Sequence, residues 1–110
     1  MIENRQKDRE ICYAKVILTN TGLIGWIRDI SEKGCRIDFA SPSKPEIEKE
    51  YPFHIIAEES MSGLEVLGTC FTRWIKDGPV FNTVGIEVNS FHHPRDKESF
   101  KVLYAYYAQE

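Results

Sequence analysis

Two short patterns in this 110-residue chain place side chains that can work on an anion together. The first is Arg5-Gln-Lys-Asp-Arg9 near the start, and the second is Asp29-Ile-Ser31-Glu-Lys-Gly34, with 20 positions from Arg9 to Asp29. Arg5 and Arg9 are four apart, so they lie on the same side of the segment and can grip one ligand from one direction. The guanidinium fork pairs bidentately with a phosphate or with guanine O6 and N7, and its flat face stacks on a purine. Asp29 and Ser31 are two apart in a strand or at its edge, which gives them a common face while Ile30 points into the core. That arrangement offers a fixed carboxylate for N–H donors beside a hydroxyl. Gly34 is expected to allow a turn conformation that a side chain forbids, and to keep the backbone low beneath a ligand. Arg36 adds positive potential beside this turn; alternation alone does not settle the face of Arg28.

With 6 Arg in the chain, about 0.3 Arg-x-x-x-Arg pairs are expected by chance, so the first pattern alone reads as a solvated tail. For (Asp/Asn)-x-Ser-x-x-Gly the figure is about 0.04, and the two together come near 0.01. Their coincidence favours a site over a tail. A turn capped by Asp29 and Ser31 is compatible with ligand contact. Trp74 and Trp26 offer stacking faces near it, against the commoner reading of strand tryptophans as half-buried packing. Gly85 is read as a close strand contact.

Other chemistry is poorly represented. There is no G-x-S-x-G elbow, no phosphate loop and no G-x-G-x-x-G, and nothing supports a catalytic triad of Ser31, Asp29 and His54, so no catalytic residue is assigned. Cys12, Cys35 and Cys70 are odd in number and widely spaced, which excludes a complete disulfide framework and suggests reduced core residues. With His54, His92 and His93 they show no ligand spacing for zinc, so no metal site is assigned. The net charge of −3 argues against a general nucleic-acid-coating surface. No apolar run approaches the roughly 20 residues of a membrane span, and no leader pattern follows Met1, so a cytoplasmic protein without membrane insertion is expected.

The elements that must position these residues are mostly strands. "ICYAKVILT" (11–19) alternates, "NTG" turns with Gly22 available for a positive φ, and "LIGWIRDI" (23–30) follows. After "SEKG", "CRIDF" (35–39) gives the clearest period of two. "SPSKPEIEKE" (41–50) reads as an exposed loop with room for one helical turn. "YPFHIIA" (51–57), "LEVLGTCFTRWI" (64–75) and "VFNTVGIEV" (80–88) are three more strands, the last two joined by "KDGP", whose Asp-Gly pair suits a tight hairpin. Phe100, Leu103, Tyr104 and Tyr107 then recur at helical spacing behind Pro94, with Asp96 and Glu98 in the first turn and Tyr106 on the exposed side. The fold class is therefore mainly β: one domain over 1–110, with a flexible N-terminal arm (1–10), a six-stranded antiparallel β-barrel (11–89) and a C-terminal α-helix (94–109).

The paired motifs, "DISEKGCRI" and the later "VGIEV" resemble the PilZ domains, which bind the bacterial second messenger cyclic di-GMP. The resemblance covers nearly the whole chain and includes the closing helix. It implies a PilZ-like barrel with cyclic di-GMP held by Arg5, Arg9, Asp29, Ser31 and Gly34, Asn4, Arg36 and Trp74 being secondary, and no cofactor beyond that ligand. The residue before the first arginine, here Asn4, bears on how many ligand molecules bind. Because residues 1–9 have too little apolar content to fold alone, binding is expected to order the arm and signal to an effector protein. The rival is an adaptor of the same fold that binds a protein partner through the helix and the 41–50 loop without nucleotide. A small RNA-binding barrel is disfavoured by the acidic balance.

Overall fold

Alternation closes this chain on itself. Ala14, Val16 and Leu18 are fully buried, as are Ile37 and Phe39, with Cys35 beside them, while the residues between them are half-buried or exposed. A strand with one apolar face must cover it, and six such strands can do so by curling around a common interior. The computed structural model describes residues 14–57 and 63–108. Its strands are β1 (Lys15–Leu18), β2 (Leu23–Ile30), β3 (Gly34–Ala40), β4 (Glu50–Ile56), β5 (Glu65–Lys76) and β6 (Phe81–Phe91), followed by helix α1 (Pro94–Ala108). They form a closed barrel in the ring order β1-β2-β3-β6-β5-β4, every neighbouring pair antiparallel. The interior holds Leu18, Ile27, Ile37, Phe39, Phe53, Ile55, Val66 and Val84, all almost fully buried.

Helix α1 touches β5, β6 and also β2. Since β2 and β5 lie on opposite sides of the ring, a helix that meets both must cover an open end of the barrel. Phe100, Leu103 and Tyr107 fill that end, and Tyr106 is exposed. Asp96 is only 4% exposed. Its Oδ2 accepts from the His93 amide (3.0 Å), a capping bond, and its Oδ1 accepts from the Leu67 amide of β5 (3.0 Å).

Gly22 takes the expected positive φ of 78° in the β1–β2 turn. Two other turns differ from expectation. The Asp77-Gly78 pair forms no two-residue hairpin: β5 and β6 are joined by residues 77–80, because Gly78 donates to Asn82 Oδ1 (3.3 Å) and accepts from Ser41 Oγ (2.8 Å). The 41–49 loop has no helical turn and is tied down. The buried Thr72 hydroxyl donates to Glu46 O (2.6 Å) and accepts from Lys49 N (3.0 Å), and Pro45 is buried.

Cys35 and Cys70 are buried, and Cys12 lies outside the described residues. Burial, with the nearby Glu50 charge second, pushes the Cys70 thiol up from 9.0 to about 12. The unfolded chain therefore releases this proton first as pH rises. Stability should fall between about pH 9 and 12 by up to about 1.4 kcal/mol per pH unit from this group. Urea midpoints of the wild type and Cys70→Ala across that range check it, since the variant should lose the added slope.

Candidate functional site

Strict alternation would not place Asp29 and Trp74 on the outer surface of the barrel. Ile27 and Ile30 are both buried although they are three apart, which requires one extra residue in β2. The register supplies it: Ile27 faces Ile37 and Asp29 faces Arg36, so Arg28 is the bulge. In β5, Thr72 is fully buried, yet Trp74 is 41% exposed. Here the register steps from Thr72↔Ile86 to Trp74↔Gly85, with Arg73 extra. Bulges of this kind re-aim side chains. Their joint result is one transverse row on the outer face, Asp29–Arg36–Gly85–Trp74, running across β2, β3, β6 and β5.

This row forms the floor of an open cavity of about 280 Å³ that Ser31, Lys33, Gly34, Arg73 and Glu87 also line. Arg36 donates from Nε (2.9 Å) and Nη2 to the same Asp29 oxygen, Oδ2. That hydrogen bond, and then the carboxylate charge, pushes the Arg36 guanidinium above its ordinary value and keeps it cationic. Both side chains are about half exposed, so the pair is worth at most about 1 kcal/mol and a ligand can remodel it at little cost. Arg73 pairs with Glu87 at 3.4 Å and lies over the Phe71 ring at 5.3 Å. Three cations and two carboxylates thus surround the cavity, with the indole on one side.

The turn itself is closed by Ser31, whose amide donates to Gly34 O (2.8 Å) and whose Oγ accepts from Lys33 N (3.3 Å). Asp29 takes no part in that cap, being held by Arg36 instead. Gly34 has an ordinary φ, contrary to the turn-conformation argument. Its requirement is steric: a Cβ there would overlap Ile86 O on β6. Gly85 has a second such requirement, for a Cβ there would overlap Cε2 and Nε1 of the Trp74 indole, which rests on it.

Asp29, Ser31, Gly34, Arg36 and Trp74 are therefore brought together. Trp26, on β2 beside Asp38, is outside this cavity. Arg28 points outward and pairs with Asp38 at 3.1 Å. His54 pairs with Glu65 at 3.1 Å. Asn4, Arg5 and Arg9 lie outside the described residues. The Ala14 carbonyl accepts from Ile27 N (2.9 Å), so the chain joins the barrel next to the bulge that carries Asp29. Lys33, Arg73 and Glu87 are lining residues that pattern reading missed. "RW" in β5 was the available signal, but nothing local marks the register that aims it.

Among the described residues no cluster of His, Cys, Asp or Glu is placed to hold a metal ion, and no helix is long and apolar enough to cross a membrane. No family model, curated protein or solved structure matches the chain.

Proposed function

We propose that the protein is a cytoplasmic PilZ-type receptor that binds cyclic di-GMP at the Asp29–Arg36–Gly85–Trp74 row and reports it to an effector protein. The observation that carries this reading is that the Asp29-x-Ser31-x-x-Gly34 motif, Arg36 and the distant Trp74 line one cavity. A guanine ring laid on the indole presents its N–H donors to the Asp29 carboxylate. Arg36 then faces O6, N7 or a phosphate. Ser31 holds the turn that fixes this edge.

Arg5 and Arg9 close over the open side. Five residue steps separate Arg9 from Ala14, a reach of up to about 18 Å, ample for a segment that joins the barrel beside the site. The arm's bound position is the signal, read by a partner protein.

Titration calorimetry with cyclic di-GMP tests this on the wild type, Arg9→Ala and Asp29→Ala. Each substitution should weaken binding about five- to 150-fold, the equivalent of about 1 to 3 kcal/mol per lost bidentate contact. Tight binding indifferent to both would remove the site. An absence of binding, with a partner retained after deletion of residues 1–9, would favour the nucleotide-free adaptor.

A further inference from the structure

The outer face of the barrel holds a second concavity on the other side of the Trp74 indole. It measures about 240 Å³, and Arg28, Arg36, Trp74, Lys76, Asp77 and Phe81 are among the residues that line it. Arg36 and Trp74 line both concavities. The two are successive rows of one surface: Lys76 faces Thr83 and Trp74 faces Gly85, two residues and so about 7 Å along the strands.

Its charges are unequally answered. Asp38 is taken up by Arg28 (3.1 Å) and by the Thr83 hydroxyl (2.8 Å), and Asp77 by Lys44 (2.8 Å). Lys76 is exposed and makes no ion pair among the described residues. Trp74 and Phe81 flank it, the latter 45% exposed. Exposed aromatic faces next to an uncompensated cation suit a stacked base and its phosphate. Each concavity alone falls short of the roughly 300 to 1,000 Å³ typical of a small-molecule site. Joined across Trp74, they reach it.

We propose that the two concavities are one trough and that the groove of Arg28, Lys76, Trp74 and Phe81 is a second nucleotide compartment, holding the far phosphate and base of a dinucleotide. This rests on the reading of the Asp29 cavity as a nucleotide site. The second compartment makes the protein select a dinucleotide over a mononucleotide, because only the longer ligand reaches Lys76 while a base is held at Asp29.

Calorimetric titrations with cyclic di-GMP and with 5′-GMP, on the wild type, Lys76→Gln, Phe81→Ser and Asp29→Ala, test it. Lys76→Gln should weaken cyclic di-GMP about tenfold, as loss of one charged hydrogen bond does. It should also flatten the salt dependence. Phe81→Ser should weaken the same ligand about fivefold or more through lost stacking. Binding of 5′-GMP should change less than about twofold in both, and where it is too weak to measure the cyclic di-GMP titrations decide. Lys76 and Phe81 are exposed, and circular dichroism checks that the variants fold. Unchanged cyclic di-GMP affinity in Lys76→Gln and Phe81→Ser, with loss in Asp29→Ala, overturns the second compartment and leaves the first. Equal weakening of both ligands also overturns it, and a wild type blind to cyclic di-GMP removes both readings.

Discussion

Asp96→Ala should lower the unfolding free energy by about 3 kcal/mol, as measured by urea unfolding followed by circular dichroism. The carboxylate is almost fully buried and accepts from two backbone amides, His93 and Leu67. Leu67 stands where the β5–β6 ladder has ended at Gly68↔Phe91, so its amide has lost its strand partner and the helix supplies one. Alanine leaves both part-buried donors without it, and each should cost toward the lower end of the roughly 1 to 3 kcal/mol of a fully buried, unpaired donor. Against a total of about 5 to 15 kcal/mol for a domain, that loss is large. Asp96→Asn, which keeps one acceptor oxygen, should recover part of it. A loss under about 1 kcal/mol for alanine would show that Phe100, Leu103 and Tyr107 hold the helix without this bond.

The two site glycines should respond in opposite ways to the same methyl group. In Gly34→Ala the new Cβ meets Ile86 O, a backbone atom of the neighbouring strand. Relief requires β3 and β6 to separate, so about 3 kcal/mol of stability should be lost, at the upper end of overpacking costs. In Gly85→Ala the Cβ meets the indole of Trp74, which is partly exposed and can swing away. Stability should change by less than about 1 kcal/mol. The displaced indole should shift tryptophan emission and weaken cyclic di-GMP about five- to 150-fold, since base stacking on an aromatic ring is worth about 1 to 3 kcal/mol. Comparable stability losses in both variants would mean that the indole is locked rather than resting on Gly85.

Local patterning carried far in this chain. The run Cys35, Ile37, Phe39 lies wholly in the core, and Phe100, Leu103 and Tyr107 form the buried stripe of the helix. Both depend only on the period of side chains along one element. The 41–49 loop was harder, because its anchor is Thr72, a residue more than twenty positions away that looks like an ordinary strand threonine. Arg28 was undecidable for a related reason: a bulge appears in a sequence only as a broken alternation, which a polar strand end imitates.

The six strands and the closing helix follow from neighbours within a few positions, whereas the phase that buries Ile30 between Asp29 and Ser31 depends on the bulge at Arg28. That Asp29, Arg36, Gly85 and Trp74 share a row is settled by the pairing of distant strands. That row is the product of two bulges and three strand registers. Register is set by hydrogen bonding between chain segments up to about fifty residues apart in this ladder. It is also why the two glycines differ: the constraint at Gly34 is a backbone oxygen of another strand, which cannot give way, and that at Gly85 is a side chain of another strand, which can.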